Sequence, residues 1–362
     1  MNGPTPRLEI HPGRIGANAR AVVDQCACHG VEVAAVTKVL HADPILVAAL
    51  RDSGVTMLAD SRLDNLARVA AARTGLPTML LRSPTPRCAD RAVALADVSL
   101  NSCLVTMTAL SEAAGRLGRC HGVIVMVDVG DLREGVWPDR AVEVVAAAAR
   151  LPHLDVMGVG ANLACYGGVL PSRANMELLV SVRDEAAAAT GLPLAVVSGG
   201  NSANLPLMRS GAMPAQVTQL RIGEAIILGR NTVDRSPWPG TRQDTVEIVA
   251  EAIEVERKPS VPLGATGQDA FGHRVVFEDR GLRTRAICDL GRQDVDPATL
   301  TPVDPGHVVL GASSDHLIVD VTDGLTGVGV GTEVRFRPSY AGLLAAATSP
   351  QVARVAVSER AA

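Results

Sequence analysis

The alternation of two kinds of segment along residues 7–230 constrains the fold most. Short β-branched or apolar runs alternate there with alanine-rich helical stretches. This alternation is typical of parallel βα units. About eight repeats favour a (β/α)₈ barrel of the TIM type over an open doubly wound sheet, which usually has fewer strands and often a glycine-rich first turn. We therefore predict an α/β fold built on such a barrel.

The individual elements of the barrel can be placed from these runs. The strands are predicted at 31–36, 56–59, 78–81, 98–100, 123–127, 156–159, 194–197, 219–221 and 226–228. Helices are predicted at 43–53, 61–74, 140–150, 172–190 and 204–210.

The sequence pattern changes at residues 236–240, where two prolines and a glycine interrupt the alternation. Strand-like runs separated by Gly, Pro and Asp turns then follow at 245–255, 283–290, 307–310, 317–321 and 333–336. A cluster of Pro and Gly residues marks a break between elements. We predict a barrel domain over residues 1–237 and a smaller all-β C-terminal domain over residues 238–362.

Composition and charge exclude several classes of function. The formal net charge is −4 and the Lys and Arg residues are scattered, so a nucleic-acid or anionic-membrane partner has no electrostatic support. Prolines and charged residues occupy the N-terminus where a signal peptide needs an apolar run, and no later apolar stretch is long enough to span a bilayer. The seven cysteines form no paired CxxC set. We expect a cytoplasmic protein without a metal site.

Lys38 lies at the end of the apolar, β-prone run of residues 34–40. Burial lowers the pKa of a lysine and makes its amine a nucleophile toward aldehydes. The alternative is a lysine whose stem packs on apolar neighbours while its amine reaches water. Other polar residues also fall at or just past predicted strand ends, where barrel enzymes carry their chemistry. These are Arg82, Arg133, Asn162, Ser198, Asn201, Ser202, Arg221 and Gly223.

Two segments have the composition of an anion site. Residues 197–204, rich in Gly, Ser and Asn, follow a predicted strand and precede a helix, so their amides and hydroxyls can surround a phosphate. An ordinary βα turn has the same composition. Residues 220–223 repeat the arrangement one strand later. Adjacent loops after the last strands hold phosphorylated cofactors in many barrels.

These motifs and their order resemble the alanine racemase fold, the fold type III enzymes that depend on pyridoxal phosphate. The resemblance rests on Lys38, the Asn201-Ser202 pair, the Arg221-x-Gly223 motif and the trailing β domain. Four longer strings look closer to the alanine/ornithine racemase subgroup. They lie at residues 58–62, 160–168, 291–296 and 310–316.

The resemblance implies roles for the cofactor-binding residues. Lys38 would bind pyridoxal phosphate covalently and act as the base on one face of the substrate. Asn201, Ser202 and the Gly223 amide would belong to the phosphate site, and Arg221 would hydrogen-bond the pyridine nitrogen. Because an arginine keeps its proton, that nitrogen would stay largely unprotonated, and the weaker electron sink would favour racemisation over transamination.

Further residues are implied for the substrate side of the site. Arg133 matches the arginine that reaches the cofactor hydroxyl and the substrate carboxylate, and Asn162 stands where the family stacks a histidine on the cofactor ring. Tyr166, an aromatic beside a glycine pair in a chain with 2% aromatics, is a further candidate for substrate binding. Ser314 and Asp315 match a β-domain loop that meets the substrate carboxylate across a dimer interface, although Ser/Asp clusters also mark plain turns.

The second acid/base group is the main departure from the family pattern. Racemisation needs a group opposite the lysine, and alanine racemases use a tyrosine of the partner subunit. Arg292 stands at that position here, and arginine is a poor general acid at neutral pH. We take Arg292 and Asp294 as catalytic candidates beside Lys38. Tyr166 and Cys165 are alternative sources of the second proton.

The sequence therefore predicts an amino-acid racemase or epimerase that works as a homodimer with shared active sites. Its substrate is expected to be a free α-amino acid: ornithine or another basic one, or alanine or serine. A fold type III decarboxylase is the alternative enzyme, disfavoured because Arg221 replaces the usual acid and Glu224 is the nearby carboxylate that reopens the question. A non-catalytic protein that binds pyridoxal phosphate shares the barrel and the lysine but lacks the β domain.

Overall fold

The chain divides into two compact units in a computed structural model that describes residues 3–358. One unit runs from Pro12 to Gln243, and the other combines the described residues up to His11 with those from Asp244 onward. The sequence placed the boundary after residue 237 and left the N-terminus in the barrel. The difference arises because the first strand pairs with strands of the C-terminal region.

A closed barrel of eight strands forms the first of these units. Strand β1 (Arg7–Ile10) precedes it and belongs to the other unit. The barrel strands are β2 (Glu32–Val36), β3 (Met57–Asp60), β4 (Thr78–Leu80), β5 (Val98–Asn101), β6 (His121–Met126), β7 (Leu154–Gly160), β8 (Val196–Ser198) and β9 (Gln219–Ile222). Each pairs in parallel with the next, and β9 closes on β2 with Ala34 opposite Arg221. The predicted (β/α)₈ barrel is confirmed.

Helices precede, connect and follow the barrel strands. They are α1 (Pro12–Ala27), α2 (Pro44–Arg51), α3 (Leu63–Ala71), α4 (Ala89–Leu95), α5 (Leu104–Arg116), α6 (Pro138–Ala148), α7 (Arg173–Thr190), α8 (Leu205–Arg209) and α9 (Glu224–Ile227). The predicted strand at 226–228 is wrong, because helix α9 occupies that segment. A ninth strand would find no free edge, since β9 already pairs with β2 and β8. Over residues 3–358, no helix is both long and apolar enough to cross a membrane.

Aliphatic and methionine side chains fill the interior of the barrel. Met57, Met79 and Met126 pack there with Val, Leu, Ile and Ala residues from the strands. The flexible thioether adapts to irregular gaps, which suits a chain with 2% aromatic residues. Since the interior is packed, a ligand can enter only at a rim of the barrel, and the loops after the strands form the candidate site.

The second unit is built on an antiparallel sheet. Its further elements are β10 (Val246–Pro259), β11 (Leu282–Cys288), β12 (Leu300–Pro302), β13 (Val308–Ala312), β14 (Leu317–Asp320), β15 (Glu333–Pro338), α10 (Tyr340–Thr348) and β16 (Ala353–Ala356). The strand order is β12-β15-β10-β11-β14-β13, and β1 adds to it between β10 and β16. The prediction of a β domain is confirmed, with helix α10 as an addition, capped by the Ser339 hydroxyl.

A buried cluster of charges links the strands of this sheet. Arg7, with 3% of its surface exposed, contacts Glu9 at 2.6 Å and Glu333 at 2.9 Å. Arg335 contacts Glu9 at 2.6 Å and Glu247 at 3.2 Å. Charges buried in this way are tolerated when each has an opposite partner. The cluster therefore joins β1 to β10 and β15.

Candidate functional site

Lys38 starts a single 3₁₀ turn immediately after strand β2. The preceding residue, Thr37, is fully buried, and its hydroxyl donates to Asp60 Oδ2 at 2.7 Å. Asp60 ends β3 and also accepts from the Arg62 amide and from Asn65 Nδ2, each at 2.9 Å. This carboxylate ties the ends of two neighbouring strands together, which fixes the backbone from which Lys38 projects.

The Lys38 amine has an unusual electrostatic environment. The side chain is exposed to solvent through the open mouth of the barrel, while protein atoms surround it on its other sides. The pKa of Lys38 is lowered, first because those atoms displace water from the charged amine. Negative charge at Cys165 and Asp60 opposes the shift, and Arg133 adds to it. Over residues 3–358 we find no hydrogen bond or ion pair to Nζ, which leaves a free amine.

Arg221 lies inside the mouth of the barrel, with 4% of its surface exposed. Its Nη1 donates to the Ser198 carbonyl at 3.1 Å and to the Ser198 hydroxyl at 2.5 Å, and its Nη2 donates to the Ala161 carbonyl at 2.6 Å. Burial lowers its pKa to about 10, which leaves it charged at neutral pH. These three bonds fix a cation among the ends of β7, β8 and β9.

The loops after β7 and β8 meet through two asparagines. Asn201 Nδ2 donates to Asn162 Oδ1 at 3.1 Å and to the Leu163 carbonyl at 2.8 Å. Asn162 Nδ2 is buried, and the described part of the chain offers it no hydrogen-bond partner. An unpaired buried amide donor costs free energy, so this atom is a candidate contact for a bound ligand.

Ser202 and Gly223 lie in the two segments that the sequence marked as anion loops. The Ser202 hydroxyl oxygen accepts from the Ala225 amide at 3.3 Å, and residues 3–358 provide no acceptor for its own hydrogen. A Cβ on Gly223 would lie 3.2 Å from Val36 Cβ, so a side chain would crowd β2. The helix predicted at 204–210 is present as the five-residue α8, and the 3₁₀ turn Ser202–Asn204 precedes it. Individual hydrogen-bond donors are therefore more important for binding an anion here than the N-terminus of a helix.

Arg133 lies on the loop after β6 and faces two neighbours. Its guanidinium contacts the Glu134 carboxylate through both Nε and Nη2, and its Nη1 donates to Cys165 Sγ at 2.8 Å. The loop turns back sharply at Gly135, where φ is 143° and a Cβ would collide with the Asp128 backbone. Arg133 is thus placed at the mouth by a turn that only glycine permits.

Asp131 organises the loop after β7, a role that sequence reasoning missed. Its buried carboxylate accepts from the amides of Cys165 at 3.3 Å, Tyr166 at 3.0 Å and Val169 at 3.3 Å. The position of Asp131, a short acidic residue next to Gly130, was only a weak sequence signal that it would accept hydrogen bonds from a neighbouring loop. The side chain of Tyr166 is 78% exposed, so Asp131 fixes the backbone at Tyr166 without holding its ring.

Arg82, another predicted residue, follows β4 in the barrel unit. The predicted residues Arg292, Asp294, Ser314 and Asp315 lie in the β unit, on two loops in contact with each other. A Cβ on Gly291 would collide with the backbone of Ser314 and Asp315, so loops 291–295 and 313–316 pack closely. Arg292 Nε donates to the Ala312 carbonyl at 3.2 Å. Asp294, 4% exposed, accepts from the Ser349 hydroxyl at 2.6 Å and the Gly291 amide at 3.3 Å.

Ser314 and Asp315 stay at the surface of the β unit. Asp315 Oδ1 accepts from the Ser314 hydroxyl at 3.4 Å and contacts His316 Nδ1 at 2.8 Å. The His316 hydrogen bond is the first cause of a lowered Asp315 pKa. These two residues are therefore open to a ligand or a partner, unlike the buried Asp294.

Glu224, the carboxylate that kept a decarboxylase in consideration, is already paired. It is buried and contacts Arg235 Nη1 at 2.5 Å. Burial raises the pKa of Glu224, and the charge of Arg235 opposes that shift. Arg221 remains the group at the centre of the mouth.

A free amine, a buried arginine and open hydroxyl and amide donors at one barrel mouth define an enzyme site for a small anionic ligand. Comparison with known proteins makes the assignment specific. The family model for the N-terminal domain of alanine racemase matches residues 10–231. A curated lysine racemase from Thermotoga maritima is 43% identical over 350 residues, covering 97% of this chain and 98% of that protein. An ornithine racemase from Acetoanaerobium sticklandii is 39% identical over 348 residues, covering 96% and 98%.

Solved structures show the same fold. Alanine racemase from Bartonella henselae, with covalently bound pyridoxal phosphate, has a TM-score of 0.75 at 16% identity and covers 98% of this chain and 100% of its own. Alanine racemase from Streptomyces lavendulae has a TM-score of 0.74 at 20% identity, covering 98% of both chains. The chain belongs to the alanine racemase family. It is an isomerase of the amino-acid racemase class, as the sequence predicted.

Proposed function

We propose that this protein racemises a free basic α-amino acid, of the lysine and ornithine class, with pyridoxal phosphate held covalently by Lys38. The observation that carries the proposal is the free Lys38 amine, with its lowered pKa, at the mouth of the barrel. A deprotonated amine is the form that bonds to an aldehyde carbon. The substrate class is inferred from the lysine and ornithine racemases that match nearly the whole chain.

The residues at the mouth fit this cofactor. Asn162 Nδ2 is a buried donor without a partner, and the Ser202 hydroxyl retains a hydrogen to donate. The cations Arg133 and Arg221 favour a ligand that carries phosphate and carboxylate charges. We assign the phosphate to Ser202, Asn201 and the Gly223 amide, and the pyridine nitrogen to Arg221.

The bound cofactor supplies an electron sink that makes the Cα proton of the amino acid acidic. Lys38 Nζ then accepts or returns that proton on one face. Burial lowers the pKa of Lys38, which favours the neutral form of the amine. Arg221 keeps its own proton at neutral pH, because its pKa of about 10 lies well above the working range. Arg133 orients the substrate carboxylate through its guanidinium.

The scarcity of lysine makes the attachment site directly testable. The sequence contains only two lysines, Lys38 and Lys258, so reduction with borohydride has two candidate side-chain amines. We expect peptide mass spectrometry to find the reduced cofactor on Lys38. The Lys38→Ala variant should lose the visible absorption band and all turnover, while Lys258→Ala, at an exposed Glu254 pair, should keep both. Label on Lys258 alone would contradict the proposal.

The substrate class is tested with L-lysine, L-ornithine, L-arginine and L-alanine in deuterated water, read by chiral chromatography. We expect D-product with Cα deuterium, and a kcat/KM for lysine or ornithine at least about tenfold above that for alanine. Release of an amine and carbon dioxide would instead indicate the decarboxylase. Equal rates with all four amino acids would remove the preference for a basic side chain.

We also propose that the active site is shared between two copies of the chain, with Arg292, Ser314 and Asp315 reaching the partner's barrel. Ser314 and Asp315 are exposed and Arg292 is partly exposed, which supports this role, whereas Asp294 serves its own loop. Lys38→Ala and Arg292→Ala should each have little activity alone, because each lacks one part of the shared site. Mixing the two kinds of subunit should then restore activity to roughly a quarter of the wild-type rate. No recovery from a mixture that contains mixed dimers would refute a shared site.

A further inference from the structure

Racemisation requires two proton-transfer groups, one on each side of Cα, and the family tyrosine is absent here. The question of what replaces it rests on the proposed function. The sequence left Arg292, Asp294, Tyr166 and Cys165 as candidates. The structure separates them by their surroundings.

Asp294 is committed to the structure of its own loop. It is 4% exposed and accepts hydrogen bonds from Ser349 and Gly291. Moving it to a substrate would break both bonds and expose the loop. Arg292 is a poor proton donor at neutral pH because arginine keeps its charge. Tyr166 is 78% exposed, and its backbone amide makes its hydrogen bond to Asp131. This bond does not hold the ring in place.

Cys165 lies across the barrel mouth from the lysine. Lys38 follows β2 and Cys165 follows β7, which are separated by β9 and β8 the short way round the closed ring of eight strands. Cys165 is exposed at this mouth. Among the charged groups that raise the pKa of Lys38, Cys165 has the largest influence. A thiol is among the side chains that act as general acids and, as thiolates, as bases.

Two neighbours hold Cys165 in place. Arg133 Nη1 donates to Sγ at 2.8 Å, which fixes the position of the sulfur. Asp131 Oδ1 accepts the Cys165 backbone amide at 3.3 Å, and Gly167 allows the close approach, because a Cβ there would lie 2.6 Å from the Asp131 carbonyl oxygen. Both backbone and thiol are therefore positioned.

We propose that Cys165 is the acid/base group that exchanges the Cα proton on the face opposite Lys38. In one direction Nζ of Lys38 takes the Cα proton as the C–H bond breaks, and the lysine becomes an ammonium. The S–H bond of Cys165 breaks, and its proton forms the new Cα–H bond and leaves a thiolate beside Arg133. The reverse direction exchanges these roles, and proton exchange with water resets both groups.

The test compares Cα hydrogen exchange of the two enantiomers in deuterated water with Cys165→Ala. We expect racemisation to fall at least about 100-fold. The enantiomer whose Cα proton faces Lys38 should still exchange, with retention of configuration, while exchange of the other is lost. Because Cys165 is exposed, the variant should fold, which circular dichroism checks. Cys120→Ala, at another exposed cysteine, should match wild type.

A second readout does not depend on turnover. Iodoacetamide labelling of Cys165, followed by peptide mass spectrometry on the loaded enzyme, should slow at least about tenfold when L-lysine saturates the site, with no change at Cys120. Racemisation by Cys165→Ala within threefold of wild type would overturn the inference. Equal loss of exchange from both enantiomers in Cys165→Ala would also overturn it, as would labelling of Cys165 that L-lysine does not slow. So would the loss of exchange from one enantiomer in Tyr166→Phe instead of Cys165→Ala. A wild type that racemises no amino acid would overturn the proposed function and this inference with it.

Discussion

The two units each concentrate charge, but in opposite ways. In the β unit, Arg7 and Arg335 are surrounded by Glu9, Glu333 and Glu247, and every one of these groups has an opposite partner. At the barrel mouth, Lys38 has a free amine and Asn162 Nδ2 has no partner among residues 3–358. A saturated cluster stabilises a fold, whereas an unsaturated one is completed by a ligand.

The largest effect should come from breaking the saturated cluster. Arg7→Met leaves the buried Glu9 and the partly buried Glu333 without their central cation, which should lower the free energy of unfolding by about 3–5 kcal/mol. Urea denaturation at pH 7 measures it. Arg51→Met, which breaks an exposed pair with Asp52, should change stability by less than about 1 kcal/mol. Similar losses of stability from both variants would contradict a special role for the cluster around Arg7.

Arg221→Met tests the mouth of the barrel. The change leaves Ser198 and the Ala161 carbonyl without their charged donor. Hydrogen bonds to charged groups contribute about 1.5–3 kcal/mol, so we expect kcat/KM to fall by up to about 100-fold. Steady-state kinetics with the best basic amino acid gives the value. Arg140→Met, at an exposed pair on α6, is the control and should retain wild-type kinetics.

Acid should weaken the β unit selectively. The hydrogen bond from Arg7 holds the pKa of Glu333 below its ordinary value of about 4.3. A carboxylate with a lowered folded-state pKa stabilises the fold above its unfolded pKa, and this stability is lost as the pH falls through the lower folded value. The protection of amides in β15 against hydrogen exchange, relative to the intrinsic rate at each pH, should therefore fall below about pH 4. Glu333→Gln should flatten that pH dependence, and an unchanged profile would contradict this assignment.

The smallest effect concerns the phosphate contact. Ser202→Ala removes one hydroxyl donor, which is worth about 1 kcal/mol, and should weaken cofactor binding by about five- to tenfold. Fluorescence titration of the apoprotein with pyridoxal phosphate measures the Kd. Ser181→Ala, on the outer surface of α7, should leave the Kd at the wild-type value. An equal Kd for both variants would show that Ser202 does not bind the phosphate.

Local patterns predicted the barrel strands well, because each strand is a run of apolar residues bounded by turns. The strands at 7–10 and 353–356 were missed, since they are short and are specified by pairing with each other and, for the first, with residues 246–249. The strand predicted at 226–228 is wrong, also because pairing with distant strands decides the outcome. Its apolar residues look like a strand, yet the barrel has closed before them.

The sequence by itself determined the barrel, the β domain and the position of Lys38 after the first barrel strand, because hydrophobic periodicity and strand ends are local properties. Only the tertiary structure decided which polar groups are satisfied. It tied Asp294 to Ser349, paired Glu224 with Arg235, and placed Cys165 beside Arg133 and Asp131. Whether a donor or a charge has a partner depends on contacts between distant residues, and that is what separates a structural side chain from a catalytic one.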